Sequence, residues 1–404
     1  MKRQVEKAPK NTRKRRRRRQ SSPSVKPTPS LPLDLISQIF LKLPAKAVAR
    51  SRSVSKLWST ITTDPYFISN FETQPRLLLY FKGRGDKLFV FSLSQHNDQN
   101  IPNESYSYYS SDQPIHSYHM DYPKHISFIS KQKTESVHGL ICFQKSAKPI
   151  VWNPNPNVRK FLYLPRPDTS WKKGIIAFLG YDPIDCVHKV VCMPLGEEAS
   201  DECRVLTLGS SNKNYSWRRI RTNCTHRPFV YGQCIDGVLY YQAQLGGGSG
   251  SGRAIMRFDV RSEKLYVIRL PWDGYWEMRI ITYERRFACV GSIGNSISMW
   301  VLEDAEKLKW SNHIFLPLSH YDQVLGVNFK LMGSSDESGE LIYVQTKLFE
   351  SFHVIYIHPK RKTFRKVEYR GIVDDEFRKL HGLGEGRMRG LQVFPNHIET
   401  LLSY

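Results

Sequence analysis

Trp152-Asn153-Pro154…Leu164-Pro165 is answered further along the chain by Phe258-Asp259-Val260…Leu270-Pro271. In both stretches an apolar run ends in a turn, and a second run closing on Leu-Pro follows about a dozen residues later. Weaker copies are Leu206…Trp217-Arg218-Arg219-Ile220, Val301…Ile314-Phe315-Leu316-Pro317 and Ile357-His358-Pro359…Val367-Glu368-Tyr369. The start points 152, 206, 258, 301 and 357 lie 54, 52, 43 and 56 residues apart.

A period near 50 with four short strands per repeat is the spacing of propeller blades, since kelch blades run at about 50 residues. A degenerate copy around Phe89–Leu93 brings the expected count to six blades. Leu391–Phe394 is then expected to return to the first blade, beside Arg76–Lys82 and Lys87–Leu93, and close the ring, which removes exposed sheet edges. Short alternating or apolar runs bounded by Gly, Pro, Asn or Asp continue through the region, giving a little over twenty expected strands and no convincing helix between them. Trp152, Trp217 and Trp300 recur in the repeats and read as blade core.

Composition agrees. Forty per cent hydrophobic residues, 12% aromatics, 25 Gly and 23 Pro in 404 residues describe a folded, strand- and turn-rich chain. Seven cysteines with no Cys-x-x-Cys pair argue against a disulfide scaffold or a zinc module and for reduced thiols in core strands. No apolar stretch approaches the roughly 20 residues that span a bilayer, and the basic N-terminal region has no apolar segment of a secretory signal. The net charge is +23, and residues 1–30 contribute +11 of it. The run Arg13-Lys14-Arg15-Arg16-Arg17-Arg18-Arg19 cannot pack against itself, so a disordered basic tail is expected. Such a run reads as a nuclear import signal, which would place the protein in the nucleus and leave a cytoplasmic pool open.

Residues 31–72 change period. Ser30 can cap a helix with Pro32 and Asp34 in its first turn. Leu35, Ile36, Ile39, Phe40 and Leu43 follow at helical spacing, and Leu43-Pro44 ends the run. A short basic helix is expected over Lys46–Arg52, then a third carrying Val54, Leu57, Trp58 and Ile61. Asp64-Pro65 closes the unit, with Phe67 and Phe71 as a trailing apolar turn. About forty residues with Leu31, Val48 and these others cannot hide so much apolar surface alone, which calls for a partner groove.

Leu31-Pro32-Leu33-Asp34-Leu35-Ile36-Ser37-Gln38-Ile39-Phe40-Leu41-Lys42-Leu43-Pro44, followed by Val54-Ser55-Lys56-Leu57-Trp58, closely resembles an F-box. The region after it resembles the plant F-box-associated domain. The motifs that carry this likeness include Val151-Trp152-Asn153-Pro154, Leu179-Gly180-Tyr181-Asp182-Pro183, Cys234-Ile235-Asp236-Gly237-Val238-Leu239-Tyr240 and Val393-Phe394-Pro395-Asn396-His397-Ile398-Glu399. The resemblance implies a basic tail (1–28), a small all-α F-box (29–73) and an all-β, kelch-like propeller (76–404). It implies the substrate receptor of a Skp–cullin–F-box ubiquitin ligase, non-catalytic and without cofactor. A Skp-type adaptor would bring the cullin and RING subunits, and the β domain would present a target protein. Adaptor contacts fall on Leu31, Pro32, Leu35, Ile36, Ile39, Leu43, Pro44, Val48, Val54, Lys56 and Trp58. Ser51 and Ser53 depart from the family pattern, standing where an aromatic and a cysteine are usual.

The competing readings are thinner. No hydrolase elbow, His-Glu-x-x-His pair or Walker loop is present, and Gly246–Gly252 reads as a flexible loop. His116 and His119, near Asp112 and Asp121, have metal-like spacing, but they sit in a polar Tyr- and Ser-rich stretch (95–122) expected to be a surface loop. The positive charge allows a nuclear β-propeller interaction protein or a nucleic-acid-associated protein with no ligase role. No recognition motif accompanies the charge, so nucleic acid is disfavoured as a partner. Target-binding loops are expected among residues 95–125, 195–202, 244–253 and 334–339.

Overall fold

The computed structural model describes residues 31–402 except 44, 72–74, 84–85, 96–105, 112–115, 122–134, 146, 157, 172–173, 197–198, 210–214, 247–251, 271–277, 294–295, 319–328, 337, 347–350 and 385–388. The basic run Arg13–Arg19, Ser30 and Pro44 lie outside the described residues.

Four short helices come first: α1 (Leu33–Leu41), α2 (Ala45–Ser51), α3 (Lys56–Thr63) and α4 (Pro65–Asn70). Pro32 is the N-cap residue of α1 rather than part of its first turn, and Asp34 lies in that turn. Ser55 caps α3 by accepting from the Trp58 N–H at 3.1 Å, so Val54 lies before the helix instead of on its face. The expected trailing turn is a helix. Asp64 Oδ1 accepts from the N–H groups of Tyr66 (2.9 Å) and Phe67 (3.2 Å), and Pro65 fills the first turn, where its missing N–H costs nothing. Phe40 packs edge-on against Trp58 (5.2 Å) and Phe67 (6.5 Å), and Val48 and Phe71 complete the small core.

The β domain begins with β1 (Arg76–Lys82), β2 (Lys87–Ser94), β3 (Tyr106–Ser111) and β4 (His116–Asp121). Next come β5 (Ser136–Val137), β6 (Leu140–Lys145), β7 (Lys148–Asn153) and β8 (Lys160–Tyr163), which form one sheet in that order. A seven-stranded sheet holds β9 (Ile175–Asp182), β10 (Val187–Pro194), β11 (Ser200–Thr207), β12 (Arg218–Ile235), β13 (Val238–Leu245), β14 (Arg253–Asp259) and β15 (Leu265–Arg269). Then β16 (Arg279–Tyr283), β17 (Arg286–Ile293), β18 (Ser296–Asp304) and β19 (Lys309–Phe315) make another. A fifth holds β20 (Phe329–Ser334), β21 (Leu341–Gln345), β22 (Phe352–His358) and β23 (Thr363–Tyr369), with β3 added in parallel to β23. After α5 (Asp375–Leu380), β24 (Arg389–His397) joins the first sheet in the order β24-β1-β2-β4.

Ring closure follows the expectation from sequence: Leu78 pairs with Phe394, Leu79 with Val393 and Tyr80 with Gln392. Neighbouring inner strands run in a circuit, β5 beside β9, then β12, β16, β20, β24 and back to β5. Apolar clusters fill the spaces between sheets, as where Tyr80 of β1 meets Trp152 of β7 at 5.4 Å and Phe394 of β24 at 5.7 Å. Trp152 is wholly buried, whereas Trp217 and Trp300 are half-buried.

Three expectations are corrected. The stretch 95–122 carries β3 and β4, because its Tyr and Ser residues extend sheets instead of forming a loop. The polar segment 218–235, given no full strand from sequence, is a single strand bent at a register shift between Pro228 and Gly232. Gly232 is required there: a Cβ would stand 2.8 Å from the Phe178 ring. α5 is a helix with signals in the sequence, since Asp374 accepts from the Phe377 N–H and Gly382 follows at φ +62°. No helix among the described residues is long and apolar enough to cross a membrane.

Candidate functional site

α1 has two apolar faces. Ile36 and Phe40 turn into the helical core, while Leu35 and Ile39, each one residue earlier, stand outside. Leu31 and Leu43 extend the outer stripe at the same four-residue spacing. With Leu33, Val54 and Leu57 these side chains are 36–63% exposed. An ordinary surface helix hides its single apolar face, so a second, exposed apolar face is the kind of surface that another molecule can cover. Pro32 and Lys56 are also exposed.

Three of the expected contact residues take a different place. Val48 is completely buried, and Ile36 and Trp58 pack against the same core, so they support the outer face from behind. Leu33 and Leu57 are exposed as well, although neither is among the expected adaptor contacts; Leu57 was read from sequence as part of the apolar face of the third helix. Ser51 is buried, and its hydroxyl donates to the Val48 carbonyl at 2.7 Å. The exposed Ser53 hydroxyl does the same to Arg50 at 2.8 Å. The two departures from the family pattern therefore leave no orphaned hydroxyl.

At the centre of the ring lies a cavity of about 460 Å³, walled by β5, β12, β16, β20 and β24 and their turns. Glu135, His138, Asp236, Arg279, Arg285 and Asp336 are its charged or titratable lining groups. Burial, reinforced by the charge of Asp336, pushes the Glu135 carboxyl well above its usual range, against the pull of the Cys234 N–H that donates to it. Burial lowers His138 to about 4, so its ring, stacked on Tyr181 at 3.7 Å, is neutral at pH 7. Burial raises the Cys234 thiol to about 12, which removes it as a nucleophile. Ser136 Oγ lies 2.7 Å from His397 Nδ1, but burial first and the Arg76 charge second hold that imidazole down at about 3. Such a ring is a poor base and serves as a strut between β5 and β24. No sequence signal joins these lining residues, because they come from separate strands.

His119 stands against Phe89 and His381, with ring centroids 5.9 and 5.7 Å away. Asp112 lies outside the described residues, and among those described no group of three or more His, Cys, Asp or Glu could hold a metal.

Helices with an exposed apolar face, joined to a closed ring of sheets, define a two-part interaction protein. Residues 29–70 match the F-box domain and residues 76–398 the F-box associated beta propeller domain. A putative F-box protein of Arabidopsis thaliana is 51% identical over 411 residues, covering 99% of each chain. An F-box protein of the same plant is 48% identical over 385 residues, covering 93% of each. The chain belongs to the F-box proteins that carry an F-box-associated β-propeller. Likeness to solved structures is weak. A putative 6-phosphogluconolactonase from Bacteroides fragilis gives a TM-score of 0.39 at 10% identity, over 79% of this chain and 98% of that one.

Proposed function

We propose that this chain is the substrate receptor of a Skp–cullin–F-box ubiquitin ligase, docking a Skp-type adaptor through Leu31, Pro32, Leu35, Ile39, Leu43, Val54 and Lys56. The observation that carries this reading is the exposed stripe on α1, which no other described residue covers. Through the adaptor the receptor joins the cullin and RING subunits, and its β domain holds the target. We read that domain as a six-bladed propeller, kelch-like in repeat length, in which the seven-stranded sheet is two blades sharing β12. The receptor needs no catalytic residue of its own, because it raises the concentration of target beside a thioester carried elsewhere. Arg13-Lys14-Arg15-Arg16-Arg17-Arg18-Arg19 would direct the protein to the nucleus.

The test is a purified pull-down with a Skp-type adaptor. Leu31→Ala with Pro32→Ala should sharply reduce capture while helical content is kept. Unchanged capture would remove the receptor assignment.

A further inference from the structure

The small helical core contains a side chain from a segment more than 300 residues further along the chain. Leu401, 2% exposed, sits among Phe40, Val48, Phe67 and Phe71. The segment Ile398–Leu402 that delivers it makes no strand, and side chains of the β domain hold it. Asn155 Nδ2 donates to the Thr400 carbonyl at 3.0 Å, and Asn153 Nδ2 donates to the carbonyls of Thr400 (3.3 Å) and Leu402 (2.8 Å). Asn153 Oδ1 accepts from the Asn155 N–H at 2.9 Å, which fixes both amides. Both asparagines are buried, at 4% and 1% exposure. Gly139, at φ +81°, lets the segment lie close, since a Cβ there would stand 2.4 Å from the Ile398 carbonyl. Glu399 lies beside Arg76, the first residue of β1, and beside the Ser92 hydroxyl.

We infer that Asn153, Asn155 and Leu401 are positioning residues that fix the F-box at a set orientation on the propeller. A single covalent link between two folded parts does not by itself fix their relative rotation. A second attachment, the Leu401 anchor, removes rotation about it. The Trp-Asn-Pro-Asn stretch that marks a blade in the sequence thereby also serves as the clamp. This inference rests on the receptor reading for its purpose: a receptor that swings on its adaptor spreads its target over a wide volume and lowers the concentration of target lysines near the thioester.

The test uses the full chain bound to its adaptor, with spin labels on exposed Cys186 and on Ser53→Cys in a Cys224→Ser background. The unmodified clamp should give one narrow distance peak. Leu401→Asp should lose that peak for a broad distribution, with the melting of the propeller unchanged. Where Leu401→Asp also melts the helices, seen by circular dichroism, Asn153→Ala combined with Asn155→Ala decides, because the pair removes the three amide hydrogen bonds that hold the segment and leaves the helical core intact. A narrow peak retained in that double variant and in any folded Leu401→Asp protein overturns the inference. Failure of the parent chain to bind adaptor would remove the receptor reading separately, and the same distances measured on the free chain would still judge the clamp.

Discussion

Between residues 31 and 66 eight large apolar side chains stand exposed, as many as in all the described residues of the β domain. The helical segment has a core of a few rings and leaves Leu31, Leu35 and Ile39 in water, whereas the ring buries entire strands, with every residue of β9 inside. Size explains part of this, since a small unit has too little interior for its apolar content. Placement explains the rest. The outward residues of α1 recur every fourth position, so the excess is gathered into one stripe instead of scattered. In the ring, apolar surface makes the fold; in the helices, much of it stays exposed.

The comparison can be broken most severely at the ring closure. Stopping the chain after residue 386 removes β24 and leaves β1 with an unpaired edge. Insolubility or rapid proteolysis of the whole β domain is the expected outcome. A soluble product that melts within a few degrees of the full chain would favour independent sheets.

Arg365→Ala should come next, at about 3–5 kcal/mol in a chemical melt, because it removes both guanidinium hydrogen bonds and the compensating charge from the nearly buried Glu340, which keeps its bond from the Ser338 hydroxyl. A loss comparable with an exposed pair, below about 1 kcal/mol, would show that water reaches the site.

The helical segment should respond in the opposite way. Leu35→Asp with Ile39→Asp should weaken adaptor binding by about 2 kcal/mol or more and leave the melting temperature unchanged, because neither side chain is in the core. Val48→Asp should unfold the helices. Equal effects of the two changes on stability would erase the distinction between an outer and an inner face.

The smallest effect is a pH slope. Burial holds His397 at about 3 against an ordinary 6.5, so between these values the unfolded chain binds a proton that the folded chain does not. The stability due to this group is complete above about 6.5 and is lost as the pH falls towards 3. Glu135, raised by burial, contributes with the opposite sign, fully below its ordinary 4.5 and less as the pH rises. A His397→Gln protein should therefore show a flatter fall in melting temperature below pH 6.5, and an unchanged slope would mean that the ring is hydrated.

Much of the β domain was legible because alternation and turn residues act locally. Phe352–His358, bounded by Ser351 and Pro359, is a strand with the expected limits. The return of Leu391–Phe394 to β1 was legible too, since an open ring would leave an edge that the repeat count supplies no partner for. Of β12 only the start, Arg218–Ile220, was legible as the close of a repeat; the rest was not, because its Arg, Asn and Thr residues give no clear apolar alternation and its strand character comes from pairing with β11 and β13. α5 was missed although Asp374 and Gly382 mark its two ends. In the candidate site the apolar character of Leu31, Leu35 and Ile39 was written in the sequence, but which helical residues face outward was not. Val48 and Leu43 look alike in a list of apolar residues, and only packing separates them.

The sequence by itself determined the period of the repeat, the switch from helices to strands and an excess of apolar residues in the first helices, because these are properties of neighbours along the chain. Only the tertiary structure decided which side of α1 stays in water, which residues meet in the central cavity and that Leu401 enters the helical core. Those depend on contacts between segments from about twenty residues apart, as between Phe40 and Trp58, to hundreds, as between Asn155 and Thr400, for which no local preference of either residue carries a signal.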